Sequence, residues 1–465
     1  MLRTVEVPLW LLVLIVLFAT VTFASHFLFP SVRWFLRRRA ERLVEELNKR
    51  LERPIQPFKL ARRTDMIQRL SYDPSVMEAV AEHARETGVR EDVAFEQAQR
   101  YAREIVPGFS ASAYFGFATR AARWLSTRLY HVEVWHEDPD ALKAFDPNAT
   151  VVYIINHRSN MDYVLVTYLV ARQSALAYAV GEWARIWPLG PLIRALGGYF
   201  IRRRYRTALY RRVLARYVQM ASKGGVAQAV FPEGGLSQTG RLKSPKVGIL
   251  SYITEEFDLK ARDLVFVPIG LNYDRVIEDN ILIEAHEKGQ QRFRGTIPSA
   301  TAFSARYIWR RLRRRAQRFG RAGVSFGTPL SMREFEGRGP DALAAEMMTR
   351  IAKVMPVVPV PLVAMLLHEA GGQATRADLL EKVGARMAAF ETAGAALLLP
   401  EGGAEETLEA ALQSLTVRKI VLEEGGTLRV APEKQALLSF YAASLEETAA
   451  QLLPGSAAVR KTIET

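Results

Sequence analysis

The chain has 465 residues, of which 49% are hydrophobic and 24% charged, and a formal net charge of +14. That size allows two or three domains and that composition excludes wholesale disorder, while the basic excess favours an anionic counterpart such as lipid headgroups, acidic proteins or phosphorylated substrates. There is no cysteine, which excludes disulfides, thiol nucleophiles and cysteine zinc sites.

Residues 8–30 (PLWLLVLIVLFATVTFASHFLFP) are almost wholly apolar, long enough to cross a hydrocarbon core of about 30 Å. A cleaved signal peptide would carry a basic start, yet only Arg3 precedes the run and Glu6 offsets it. Arg33, Arg37, Arg38 and Arg39 follow, which places the downstream side in the cytoplasm. The expectation is a single-pass anchor in the cytoplasmic (inner) membrane, residues 1–39 with their basic flank, and a cytoplasmic body. Residues 40–130 read as a helical N-terminal domain, punctuated at Asp73-Pro74 and Thr87-Gly88. Within it, Phe109 to Tyr130 sets apolar and aromatic residues on one face and arginines on the other. Such a face packs on the next domain or lies in the membrane interface.

From His131 the pattern changes. Short β-rich runs alternate with helical stretches: HVEVW (131–135), VVYII (151–155), ALAYAV (175–180), GGYFI (197–201), GVAQAVF (225–231), DLVFVPIGL (263–271) and GVSFG (323–327). Strands interleaved with helices predict an α/β domain over 131–354, a mostly parallel sheet flanked by helices. Between Arg306 and Arg321, eight of sixteen residues are arginine, with Tyr307, Ile308, Trp309 and Leu312 among them. This reads equally as a solvated helix face and as a basic amphipathic helix against anionic headgroups. MPVVPVP (355–361) breaks the helical pattern. The remainder, 355–465, reads as a mainly helical C-terminal module, with one strand pair (VRKIVLEE and TLRVAP) around Gly425-Gly426.

Four clusters carry chemistry. The first is Asn156-His157-Arg158-Ser159-Asn160-Met161-Asp162, where an apolar strand turns into a helix. A carboxylate reaching the imidazole would fix its tautomer and make it a better base. His157 and Asp162 cannot share one face of an ideal helix, so they converge only if His157 sits on the turn and Asp162 in the first helical turn, with Ser159 or Asn160 as N-cap. Spacing alone leaves a capped helix with an incidental histidine equally open. The second cluster is the strand end Gly197-Gly198-Tyr199-Phe200-Ile201 followed by Arg202, Arg203 and Arg204, forks suited to phosphate. The third is FPEGGLSQTGR (231–241) after a strand. Its glycines let backbone amides approach an anion or oxyanion, with Glu233 and Arg241 as charged ends. It is neither a Walker A loop nor a nucleophile elbow. The fourth is Val267-Pro268-Ile269-Gly270, a strand with a proline.

Taken in this order, the four clusters resemble the sequence blocks of the glycerophospholipid acyltransferases, most closely the bacterial membrane glycerol-3-phosphate 1-O-acyltransferases, and the resemblance runs from about Asp73 to Leu453. It implies an acyltransferase-like α/β fold and acyl transfer from a thioester, acyl-CoA or acyl carrier protein, to the sn-1 hydroxyl of glycerol 3-phosphate. It implies His157 as general base in the His-x4-Asp motif and Asp162 as its orienter. Arg158, Arg202, Arg203, Glu233, Gly234, Gly235, Arg241 and Pro268 are implied to bind substrate. No cofactor or metal is implied, and the partners are membrane lipids, the thioester donor and glycerol 3-phosphate. Such chemistry needs a base, oxyanion donors and cations for the phosphate, which the clusters supply.

One departure bears on the acceptor. The family's third block carries arginines where this chain has Leu236 and Gln238, and leucine offers no fork to a phosphate. Arg203, Arg204, Arg241 and Lys243 are open to replace that charge. Alternatively the acceptor is lysophosphatidic acid, dihydroxyacetone phosphate or another lipid alcohol. A catalytically inactive membrane scaffold is disfavoured by the intact His157 and Asp162. A nucleic-acid binder is disfavoured by the anchor and by a C-terminal module without an arginine-rich recognition helix.

Overall fold

A computed structural model describes residues 8–453 except 172, 182–183, 186, 188, 203–206, 290–317 and 336. It opens with an unbroken helix, Leu9–Asn48, about 60 Å long at the α-helical rise. The side chains of Leu9 to Leu17 are exposed; those of 21–34 lie outside the described set. Among the described residues no helix is long and apolar enough to cross a membrane. The far end of this helix packs onto the body, where Val44, Leu47 and Leu51 meet Ile55, Phe109, Tyr114 and Ala175.

The helical region expected over 40–130 forms the helices Arg63–Ser71, Pro74–Thr87, Glu91–Ile105 and Thr119–Leu129. The Asp73 side chain caps the second of these by accepting from the Ser75 amide, and Gly88 ends it with φ +69°. In the Phe109–Tyr130 stretch Tyr114, Ala118, Ala122, Ser126 and Leu129 are buried, whereas Phe117 and Trp124 remain exposed. Its apolar face is therefore mainly core.

The sheet contains β1 (His131–His136), β2 (Thr150–Ile155), β3 (Ala177–Gly181), β4 (Tyr199–Ile201), β5 (Gln228–Val230), β6 (Leu264–Tyr273), β7 (Arg321–Phe326) and β8 (Leu330–Ser331). Its order is β1-β7-β6-β2-β5-β3-β4, with β8 beside β6. Strands β6, β2, β5, β3 and β4 run parallel; β1 and β7 pair in parallel with each other but antiparallel to β6. All seven strands expected from the sequence form, and the mostly parallel α/β sheet holds. Every residue of β2 and β6 is buried, as continuous apolar runs in a parallel sheet covered on both faces should be. The two-residue β8 was not foreseen. Arg321 opens β7 instead of closing a basic helix, and the rest of the Arg306–Arg321 segment up to 317 lies outside the described residues.

The C-terminal part contains helices Gly339–Lys353, Pro359–Glu369, Arg376–Thr392, Gly403–Val417 and Gln435–Leu452. Its strand pair is real: β10 (Val421–Glu424) lies antiparallel to β11 (Thr427–Val430), with Glu424 opposite Thr427. The turn between them holds Gly425 and Gly426 at φ +58° and +77°, where glycine has no Cβ to clash. A third strand, β9 (Gln373–Thr375), pairs with β11 and had no sequence signal. One contiguous core joins Met66 to Ala449. The prolines near 355 therefore mark a change of pattern and not a gap in packing.

Candidate active site

The parallel strands send their C-terminal ends to one edge, and three of the four clusters meet there. β2 is held to its neighbour at its last turn by Asn156, whose amide donates to the Leu271 carbonyl (2.9 Å) and accepts from the Leu271 amide (2.7 Å). The chain then turns so that His157 is followed, four residues on, by the helix Met161–Val170. Asp162 is its second residue, as convergence with the histidine requires. Asn160 is the N-cap but makes no side-chain cap bond; Ser159 Oγ instead accepts from the Met161 amide at 3.2 Å.

The Asp162 carboxylate does both jobs that the sequence left open. Oδ2 accepts from His157 Nδ1 (2.9 Å), the Arg158 amide (2.7 Å) and the Ser159 amide (2.9 Å), and Oδ1 accepts from the Tyr273 hydroxyl (2.6 Å). An ionised carboxylate only accepts, so Nδ1 carries the proton and Nε2 keeps the lone pair of a base. His157 is 3% exposed, between Phe231 (ring centroids 4.4 Å) and the edge-on ring of Tyr163 (5.4 Å). Burial and the charge of Asp162 push the Tyr273 hydroxyl pKa well up, so it stays a donor.

Glu233, in the loop after β5, grips the same turn from the other side. Its Oε1 accepts from the His157 amide (2.7 Å) and its Oε2 from the Lys243 amide (3.1 Å). Burial pushes its pKa up to about 7 against the pull of those two amides. Through these two amides Glu233 positions the turn that carries the histidine. The Ser237 amide returns to the His157 carbonyl at 2.9 Å, and Gly234 turns the loop at φ +69°. Glu278 holds the far side of the turn, accepting from Ser159 Oγ (2.8 Å) and from the side-chain amide of Asn160 (3.0 Å). Burial raises its pKa, opposed by those donors.

The remaining expected residues separate. Arg158 is buried: Nη1 donates to the Gly240 carbonyl, and Nε and Nη2 have no hydrogen-bond partner among the described residues. Burial lowers its pKa, countered by Glu233, Asp162 and Glu447. Pro268 lies in β6 opposite Ile154. The other edge of β6 pairs with β8 up to Phe266 and with β7 from Ile269, so the proline falls in the interval between two ladders. Arg241 pairs with Glu446 on the last helix at 2.8 Å. Arg202 is not brought to the histidine. β4 is three strands from β2, about 14 Å at normal strand spacing, and its guanidinium forks onto Glu104 (2.9 and 2.8 Å), which Arg185 also contacts at 2.6 Å. Arg203 lies outside the described residues. Among those described, no three His, Asp or Glu side chains gather as metal ligands.

Sequence reasoning missed Tyr273 and Glu278 as members of the site, and it gave Asn156 no role of its own. It also missed the last helix. Gly240 (φ +85°) abuts that helix so closely that an added Cβ would lie 1.8 Å from the Phe440 carbonyl oxygen. Next to Glu278, Asp279 accepts from Tyr441 Oη and from Arg418.

The strand-end histidine with a buried carboxylate beside a glycine loop defines the class, and residues 134–272 match the acyltransferase family model. That stretch of the chain is therefore similar to acyltransferase domains. Residues 304–443 match the model of the glycerol-3-phosphate acyltransferase C-terminal region, so the resemblance to glycerophospholipid acyltransferases holds over both parts. Similar curated proteins, each named glycerol-3-phosphate acyltransferase, come from Pseudomonas syringae pv. tomato (28% identity; 65% of this chain, 36% of the relative) and Ectopseudomonas mendocina (29%; 59% and 32%). Another is from Xanthomonas campestris pv. campestris (27%; 71% and 39%). The chain thus spans about a third of the length of these relatives. A crystal structure of the 1-acyl-sn-glycerophosphate acyltransferase PlsC from Thermotoga maritima covers 61% of this chain and 93% of its own, at 18% identity and a TM-score of 0.32, too low to bear on the argument.

Proposed function

We propose that this chain transfers an acyl group from a thioester, acyl-CoA or acyl carrier protein, to the sn-1 hydroxyl of glycerol 3-phosphate, giving lysophosphatidic acid. The observation that carries the reading is the buried His157–Asp162 pair, with Nδ1 committed to the carboxylate and Nε2 left as base. Nε2 takes the hydroxyl proton as the alkoxide oxygen attacks the thioester carbonyl; the tetrahedral intermediate collapses, expelling the thiolate, which takes the proton from the imidazolium. Asp162 stabilises that imidazolium, and the backbone amides of the adjoining glycine loop are the donors for the oxyanion. The relatives named glycerol-3-phosphate acyltransferase support the acceptor.

A second reading keeps the chemistry and changes the acceptor to lysophosphatidic acid or dihydroxyacetone phosphate. Leu236 favours it, being buried where the family block carries an arginine. Membranes containing the chain, assayed with labelled acyl donor, decide between them. Glycerol 3-phosphate should be the preferred of the three acceptors, and His157→Ala should abolish transfer without loss of folded protein. Full activity in that variant would remove the base assignment.

The same reading puts the chain on the cytoplasmic face of the inner membrane, held by residues 1–39. The apolar run of 8–30 and the exposed Leu9–Leu17 side chains support it. Deleting 1–39 should move the protein from the membrane pellet to the supernatant; a variant that still pellets in full would count against the anchor.

A further inference from the structure

Segment 273–279 meets the catalytic turn near both of its ends. Tyr273 donates to Asp162, and Glu278 accepts from Ser159 Oγ and from the backbone and side-chain amides of Asn160. The C-terminal module grips the same segment from the other side. Asp279, the first residue of the helix Asp279–Glu287, turns Oδ1 back to the Asn280 amide at 2.7 Å. Its Oδ2 accepts from Tyr441 Oη on the last helix and from Nη2 of Arg418, the residue that caps the helix Gly403–Val417. Arg418 Nη1 donates to Tyr441 Oη (3.0 Å), which also accepts from the Val276 amide (3.1 Å). Tyr441 Oη thus donates one hydrogen bond and accepts two, all that a hydroxyl can make.

Stability alone does not account for an ion pair in this place. Asp279 is 1% exposed and the Arg418 side chain 10%. Two charges so deeply buried return in attraction little more than their desolvation costs, and an apolar pair of similar volume would join the two parts as well or better. What the charges add is direction, because a guanidinium and a phenol from two different helices fix one carboxylate oxygen. That oxygen belongs to the neighbour of Glu278. We propose that Arg418 is a positioning residue for acyl transfer: with Tyr441 it anchors Asp279, so that Glu278 holds the turn carrying His157 in its reactive geometry. The inference rests on the function proposed above. It makes the C-terminal module part of the frame of the active site.

The test uses the full chain in membranes. Arg418→Leu strands a buried carboxylate and should lower the thermal midpoint, whereas Asp279→Leu/Arg418→Leu removes both charges and should recover most of that loss. Activity should not recover with it. In both variants kcat should be about ten- to a hundred-fold lower, the weight of a displacement on the order of 1 Å at the reacting groups. The KM for acceptor and donor should be unchanged, because a displaced base slows the reaction without weakening binding. Arg418→Lys keeps the charge without the fork and should regain part of the rate. As a control, Arg376→Ala/Glu409→Ala removes an exposed ion pair of the same module and should leave kcat at the wild-type value. A Leu/Leu double variant that regains full kcat along with stability overturns the proposal, since the pair is then structural only. So does a raised KM with kcat unchanged. Hydrogen exchange of the full chain in detergent reads the turn without turnover. Amides of 157–162 should exchange faster in the Leu/Leu variant than in wild type, while those of β2 should not. If they do and the wild type transfers no acyl group, the anchoring by Arg418 stands and the proposed reaction falls. Equal exchange in the two proteins overturns the anchoring, whatever the reaction.

Discussion

Asp162 receives four donors, and their arrangement predicts how substitutions should differ. Asparagine can place its oxygen where Oδ2 accepts three N–H groups and turn its amide towards Tyr273, whose hydroxyl can then accept. Such a residue still orients the imidazole and lacks only the charge that stabilises the imidazolium. Alanine removes both. Asp162→Asn should therefore lower kcat by about 10²-fold and Asp162→Ala by about 10⁴-fold, the range over which a positioned base contributes. Equal losses in the two variants would mean that orientation by Asp162 contributes nothing. Tyr273→Phe leaves three donors in place. It should cost about 1–3 kcal/mol of stability, the weight of a buried hydrogen bond to a charged group, read as a lowered thermal midpoint with the acceptor KM unchanged.

At the level of elements, the last helix is built into the site. Its Phe440 carbonyl presses on Gly240, its Glu446 holds Arg241, and its Tyr441 binds Asp279 beside the Glu278 that pins Ser159 and Asn160. Gly240→Ala should thus be among the most damaging substitutions in the loop. It adds a Cβ 1.8 Å from a backbone oxygen at a residue with φ +85°, so either the loop or the helix must move. We expect a loss above about 3 kcal/mol and a fall in kcat, checked by thermal unfolding and by rate; a wild-type midpoint would show that the contact is loose. None of this was legible in the sequence. The strands and the hairpin at Gly425-Gly426 were legible because local pattern determines them, whereas the spacing of His157 and Asp162 allowed their contact without deciding it against a capped helix. Tyr273, Glu278 and Tyr441 lie more than a hundred residues from the motif that they support, and only the tertiary packing of β6 and the last helix brings them there. Arg202 shows the converse. Its motif is clear, but the strand that carries it takes an edge position, where Glu104 takes up the guanidinium.

At the scale of the molecule, the buried carboxyls Glu233 and Asp274, with Glu278 shifted in the same direction, set a pH dependence that the net charge alone would not predict. Burial raises Glu233 from 4.5 to about 7 and Asp274 from 3.8 to about 6, although both accept backbone amides. Between the unfolded and folded values the native state holds more protons than the unfolded chain, so stability falls as pH rises through that window. The contribution is fully present below about pH 4 and gone above about pH 7. Each group accounts for on the order of 3 kcal/mol across its range. Denaturant midpoints measured from pH 5 to 8 should therefore decline for the wild type. Glu233→Gln should decline less steeply and stand above wild type at pH 8, because it removes a buried ionisation while its amide oxygen can still accept from His157. The same variant gives up the acceptor for one of the two amides, so at pH 5 it should be the less stable protein. A crossing of the two curves between pH 5 and 8 is the signature. Parallel curves would mean that Glu233 titrates in the native protein as it does unfolded, and that the turn carrying His157 is held on an ordinary carboxylate.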